Sequence, residues 1–253
     1  LNKSVLPYLD DSAVIEGKKK KIYSVQDKSM ECQGYSLSFR IGNGKFSDTF
    51  YVNMDMDFDQ MLNCPFIGII GHEFLRNNNI VLDYETETLH DSTGSKEVNP
   101  EDYEFLFPMS FGLNQYNIPV VGLVYGDKKY LMVADSGAND TVITKHLMDE
   151  AGICVKHLGN DGTLTCFSTD TLETSLYDVT LSIFSLGGTS ECPKLYTKHD
   201  KAQVIGNCQH IMEGLKDADG NDLMPVSGLL SSEFMHRNKW VLDFGTCVMY
   251  QRK

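Results

Sequence analysis

One stretch of this chain is written twice. Gly68-Ile69-Ile70-Gly71-His72-Glu73-Phe74-Leu75-Arg76-Asn77-Asn78-Asn79-Ile80-Val81-Leu82-Asp83-Tyr84 lies without a gap over Gly228-Leu229-Leu230-Ser231-Ser232-Glu233-Phe234-Met235-His236-Arg237-Asn238-Lys239-Trp240-Val241-Leu242-Asp243-Phe244. Gly68/Gly228, Glu73/Glu233, Phe74/Phe234, Asn78/Asn238, Val81/Val241, Leu82/Leu242 and Asp83/Asp243 are identical, and most other pairs exchange one apolar residue for another. A self-match this long marks a duplication. Two copies are too few for a solenoid, whose units bury their apolar faces against further units, so the pattern predicts two lobes. Each copy passes from an apolar strand through a short helix into a Val-Leu-Asp-aromatic strand. Ser231 and Ser232 are candidate caps for the helix in the second copy.

The other informative stretch precedes the second copy. The apolar run Tyr130-Leu131-Met132-Val133-Ala134 leads into Asp135-Ser136-Gly137-Ala138-Asn139-Asp140-Thr141-Val142-Ile143-Thr144. Asp-Ser-Gly alone is a common turn, but here it lies between apolar strands. Together with the repeat, the stretch resembles the retropepsin-like aspartic proteases, in a duplicated-domain, bacterial-type form. Asp135–Ala138 matches their Asp-Thr/Ser-Gly-Ala signature. The repeat matches the Gly-bearing apolar strand, short helix and Val-Leu-Asp strand that close their domain. The match is complete in the second half and covers only the tail of the set in the first.

The resemblance implies an all-β acid-protease fold of two tandem β-barrel lobes related by a pseudo-two-fold axis, with short helices only. The N-terminal lobe would span 1–89, lacking its first strands and catalytic loop. A polar linker would occupy 90–102, and the C-terminal lobe, with the Asp-Ser-Gly loop, 103–253. The implied activity is aspartic endopeptidase, with Asp135 as one catalytic carboxylate. Such enzymes use two carboxylates sharing one proton, because like charges a few ångströms apart do not both ionise. The ionised member takes a proton from water while the protonated one polarises the scissile carbonyl, so no metal and no cofactor is required. On this resemblance Ser136, Gly137 and Ala138 support the catalytic loop. Gly68 and Gly228 let a strand pass close behind it. Asn139 and Asp140 would contact substrate backbone. Gly159-Asn160-Asp161-Gly162 reads as a turn between Val155–Leu158 and Thr163–Phe167, where the family places its flap, so Gly159 and Gly162 are substrate-binding candidates. The partner is an extended peptide or protein substrate, bound by strand addition.

The position of a second carboxylate follows from register. Leu1-Asn2-Lys3-Ser4-Val5-Leu6 lies over Ile143-Thr144-Lys145-His146-Leu147-Met148, which would put the partner of Asp135 before Leu1 and leave this chain inactive by itself. A competing register uses Leu9–Ile15, with Asp11 as the carboxylate. It replaces the signature Gly by Ala13 and puts Pro7 into the approaching strand, where the ladder would lose a donor; the first register is favoured. Two other readings share the fold. One is a noncatalytic peptide-binding or scaffolding module. The other is a homodimer that brings two copies of Asp135 together, although a monomer is favoured.

Composition narrows the partners. The net charge is −13 and the pI about 4.9, which opposes nucleic acid and anionic membranes, since both require a basic face. The Lys18–Lys21 run reads as a solvated strand edge. No apolar stretch has membrane-spanning length. No signal peptide is evident, so the expectation is a soluble protein, cytoplasmic or exported with its signal segment absent from this chain. The seven cysteines show no metal-ligand spacing. His72-Glu73 lacks the second His of a zinc-protease helix, and Asp217–Asp222 reads as a solvated turn, its Gly too early for a calcium loop. Hairpins are expected around Gly42-Asn43-Gly44, Gly126-Asp127 and Gly187-Gly188, and short helices at His72–Asn78, Lys145–Ala151 and Ser232–Asn238.

Overall fold

The computed structural model describes residues 1, 3–23, 29–52, 67–92, 99–109, 118–165, 171–188, 193–206 and 226–253. Within them the chain is mostly β, with few and short helices. It forms two compact units, Leu1–Gly71 with Thr165–Thr171, and His72–Leu164 with Leu172–Lys253.

The first unit contains a three-stranded antiparallel sheet, β1 (Val14–Tyr23), β2 (Ser29–Ile41) and β3 (Gly44–Val52), in that order. Gly42, with φ +55°, makes the tight turn that pairs Ile41 with Gly44. Phe39 packs on Phe46 and Phe50, with ring centroids 5.8 and 5.1 Å apart. The lysine run Lys18–Lys21 lies exposed on the edge strand β1, where charge discourages pairing with other chains.

Ahead of β1 stand two 3-10 turns, Lys3–Tyr8 and Asp11–Ala13. Asp10 caps the second through a hydrogen bond from the Ser12 amide. Asp10–Ala13 is therefore a capped turn that leads into β1, and Asp11 does not lie in a loop between strands. At the other end of the unit Leu1 sits against Gly68. A Cβ on Gly68 would come within 2.6 Å of Leu1 Cδ2 and 3.0 Å of Leu1 Cα.

The second unit opens with α1 (His72–Asn77), β4 (Ile80–Asp83) and β5 (Thr88–Asp91). β6 (Tyr103–Pro108), β7 (Val120–Tyr125), β8 (Lys128–Ala134) and β9 (Thr141–Thr144) follow, then α2 (Lys145–Ala151). β10 (Cys154–Thr165), β11 (Thr171–Gly188), β12 (Pro193–Ile205), β13 (Val226–Leu230), α3 (Ser232–Arg237), β14 (Val241–Asp243) and β15 (Val248–Arg252) complete it. The hairpins β7–β8 and β11–β12 fall where their Gly-rich turns predict.

Strands β11-β12-β9-β13-β8-β7 pair in that order, and a contact of β11 with β7 at Ile183 and Leu123 closes them into a six-stranded barrel. The barrel is filled by apolar residues from alternating strand positions. Val121, Leu123, Met132, Ile143, Val179, Leu181 and Ile183 are each fully buried. Trp240 joins the same core, stacked 4.5 Å from Phe105 and edge-on to Phe234 at 5.4 Å.

The five-stranded sheet, β5-β4-β14-β15-β6, brings the two copies of the repeat together. β4 and β14 pair antiparallel with Leu82 opposite Leu242, Val81 opposite Asp243 and Asp83 opposite Val241. The Tyr84 amide donates to the Trp240 carbonyl, and the Phe244 amide donates to the Ile80 carbonyl. The identities in the repeat have local reasons. Asn78 and Asn238 each donate a side-chain amide hydrogen to the carbonyl of the preceding Phe, Phe74 or Phe234. Asn79 and Lys239 both have φ +52°. Asp83 accepts from the amides of Glu85 and Thr86, and Asp243 from those of Gly245 and Thr246. Each carboxylate thus closes the turn after its strand, a role Asp fills by bonding backbone two or three residues on.

The division between units falls at Gly71/His72, upstream of the 90–102 boundary expected from the sequence. The reason is the β4–β14 ladder, which ties His72–Asp91 to the second unit. Of the expected linker, His90 and Asp91 lie in β5, Pro100–Asp102 form a 3-10 turn capped by Asn99, and 93–98 lie outside the described residues. The expected turn at Gly159–Gly162 is instead part of the unbroken strand β10. Gly159 takes φ +82° there, a local irregularity that glycine allows without reversing the chain.

Asp83 is buried, and its acidity carries a stability consequence. Burial alone would raise its pKa, but the Thr86 amide, the Arg252 guanidinium and the Glu85 amide outweigh this and hold it below the usual value. A depressed carboxylate stabilises the fold above its unfolded pKa, and that stability is lost as pH falls through the lower folded value. Urea midpoints should therefore fall as pH drops below about 4, and Asp83→Asn should flatten that acid limb. An unchanged acid limb in the variant would refute this role.

Candidate active site

The Asp135 loop is held by strand order. β13 runs between β8 and β9, parallel to β8 (Leu230 opposite Ala134) and antiparallel to β9 (Gly228 opposite Ile143). The loop 135–140 must cross from β8 to β9 over the C-terminal end of β13. This crossing explains the glycine in β13. A Cβ on Gly228 would lie 2.2 Å from the Val142 carbonyl oxygen and 3.1 Å from Ile143 Cα. A Cβ on Gly68 would instead first meet the Leu1 side chain, at Cδ2; Leu1 is the residue that the sequence register places over Ile143.

Asp135 is half-buried at the end of β8. Its amide donates to the Leu230 carbonyl at 2.9 Å, and its Oδ1 accepts from the Gly137 amide at 2.8 Å. The Ala138 amide closes the loop on the Asp135 carbonyl at 3.2 Å. The Ala138 carbonyl in turn accepts from the Ser232 amide at 2.8 Å and from Ser232 Oγ at 2.9 Å. The loop is thereby tied at both ends to Leu230–Ser232, the junction of β13 and α3.

The supporting network lies deeper. Ser231 caps α3 by accepting from the Phe234 amide at 3.0 Å, and its Oγ is 3.2 Å from Thr141 Oγ1. Thr141 donates to Asp200 Oδ2 at 2.6 Å, and Arg237 Nη2 pairs with Asp200 Oδ1 at 2.6 Å. Asp200 on β12 is buried, so its charge is compensated by Arg237, Thr141 and its neighbour Lys201's amide. Ser231→Ala removes the cap and should cost about 1–2 kcal/mol, read from urea unfolding. A loss below about 0.3 kcal/mol would refute the cap's contribution.

An open cleft of about 370 Å³ adjoins the loop, lined by Tyr84, Asn139, Ser232, Glu233 and His236. Burial, and then the charge of Asp135, push the Tyr84 phenol up to about 12. A neutral phenol is a hydrogen-bond donor at any physiological pH.

The structure thus brings Asp135, Gly137, Ala138 and Gly228 together and adds Asn139 through the cleft. Ser136 is exposed on the loop, and its hydroxyl takes no part in the hydrogen bonds that hold it. Asp140 is exposed. Gly159 and Gly162 lie on β10, which joins the barrel through β11. Gly68 lies in the first unit. Sequence reading missed Asp200, Arg237 and Tyr84. Tyr84 was readable as the polar counterpart of Phe244 in the repeat, whereas nothing local distinguishes Asp200 within the charged run Lys198–Lys201.

Among the described residues no group of three His, Cys, Asp or Glu side chains could hold a metal ion. Among them also, no helix is long and apolar enough to cross a membrane. Cys32 and Cys247 are free thiols, and Cys64, Cys166, Cys192, Cys208 and the Asp217–Asp222 turn lie outside the described residues. No protein-family model matches the chain, and no curated protein sequence matches it either.

Proposed function

We propose that this chain is a bilobal aspartic endopeptidase, in which Asp135 is one of two carboxylates that activate water against a peptide bond. The observation that carries the reading is the threading of β13 between β8 and β9, with Asp135 fixed by amides at the crossing. That arrangement presents a carboxylate on a rigid loop beside an open cleft, as general acid–base chemistry on a bound peptide requires. The pairing of β4 with β14 inside one compact unit supports the duplication on which the two-lobe reading, 1–89 and 103–253, rests.

On this reading Asp135 works with a second carboxylate. With two carboxylates in place, one holds the shared proton and the other takes a proton from water. Asn139 and Tyr84 supply polar contacts to the bound backbone.

The test is cleavage of a mixed peptide library, from about pH 3 to 7, by the wild-type protein and by Asp135→Asn. The wild type should cut and the variant should not. Binding without cleavage by both would make the protein a peptide-binding module. Activity of the wild type that rises with the square of its concentration would place the dyad between two copies of Asp135.

A further inference from the structure

We propose that Asp200 is a positioning residue for Asp135. The inference rests on the endopeptidase reading only for its effect on turnover; the structural claim stands apart from it. The donors and acceptors between the two residues admit one direction. Ser231 Oγ accepts from the Phe234 amide, so its own hydrogen is available to Thr141 Oγ1. Thr141 spends its hydrogen on Asp200 Oδ2, at 2.6 Å. Asp200, as a carboxylate, only accepts, and its Oδ1 is filled by Arg237 and the Lys201 amide. A charged acceptor at the end of the row fixes the orientation of both hydroxyls.

The row ends at the residue between the two anchors of the loop. Leu230 accepts the Asp135 amide, and Ser232 donates twice to the Ala138 carbonyl. Ser231 lies between them and is 2 % exposed, and Thr141 is 1 % exposed. Movement of Ser231 therefore displaces both anchors. β12 carries Asp200 and pairs in parallel with β9, from Ala202 opposite Thr141 to Ile205 opposite Thr144. The barrel wall thus sets the position of the carboxylate loop through Asp200 and Thr141, without Asp200 touching the reacting atoms.

The experiment measures site-resolved amide hydrogen exchange and peptide turnover in the full natural polypeptide. The variants are Asp200→Ala, Thr141→Val and Thr141→Ser. Expected is a rise of about tenfold or more in exchange at the Asp135 and Ser232 amides for the first two. The Leu181 and Ile183 amides of β11 should stay within about twofold. Thr141→Ser keeps the hydroxyl and should restore both sites. In turnover, kcat should fall by about 10- to 100-fold while KM stays within about threefold. Unchanged exchange at Asp135 and Ser232, or a uniform rise at every amide, would overturn the proposal. Selective loosening of the loop in a protein that cleaves no peptide would uphold the positioning role and reject the endopeptidase reading.

Discussion

Gly228→Ala should destabilise the second unit by about 3 kcal/mol or more, at the upper end for an overpacked interior. The added Cβ meets the Val142 carbonyl oxygen at 2.2 Å, Met132 Cε at 3.0 Å and Ile143 Cα at 3.1 Å. Met132 is flexible and could yield. The Val142 carbonyl is backbone of β9, which is paired on one side with β13 and on the other with β12. It moves only if those ladders open. The effect is read from urea unfolding followed by the fluorescence of Trp240, the only tryptophan, which is fully buried in the same unit. Gly206→Ala serves as the control, because among the described residues no atom beyond its chain neighbours lies within 4 Å of its Cβ position. Its effect should stay within about 0.5 kcal/mol. A Gly228→Ala loss no larger than the control would refute the close crossing of β13 and β9.

Asp135→Asn should leave stability nearly unchanged and remove peptide hydrolysis by the full polypeptide. Asparagine keeps an Oδ1 that accepts from the Gly137 amide, the contact that fixes the loop turn. The residue is half-buried, so little desolvation changes with the charge. What is lost is the group that exchanges a proton with water and substrate, worth on the order of 10²–10⁴-fold in rate. The measurement pairs kcat/KM on a cleaved peptide with the urea midpoint. Wild-type turnover in the variant would end the aspartic-peptidase reading. Lost turnover together with a large midpoint shift would assign Asp135 to structure. Only the combination of lost rate and kept stability marks a chemical role.

Much of the candidate site was legible before any coordinates. Asp135–Ala138 between apolar strands located the loop, and Gly228 located the strand that passes behind it, whereas the strand character expected around Gly68 is absent, since 67–71 form no strand. Lys145–Ala151 forms the helix its pattern predicts, with Thr144 as cap and Gly152 at φ +61° as its end. These features are local: a cap, a turn glycine and an alternating strand each act within a few residues. Gly159–Gly162 was misread for the same reason. Two glycines around Asn-Asp have turn chemistry, but they lie within the strand β10, which is paired to β11.

The sequence by itself determined the duplicated segment, the strand and helix types, the hairpin turns and the one Asp loop, because periodicity and turn chemistry are written in neighbouring residues. Only the tertiary structure decided that the two copies pair with each other through Leu82 and Leu242. Only it placed Tyr84 within reach of the charge on Asp135 and set Asp200 and Arg237 beneath Thr141. Those pairings join residues far apart in the chain. They are fixed by how strands order themselves around a shared core, which no window of sequence records.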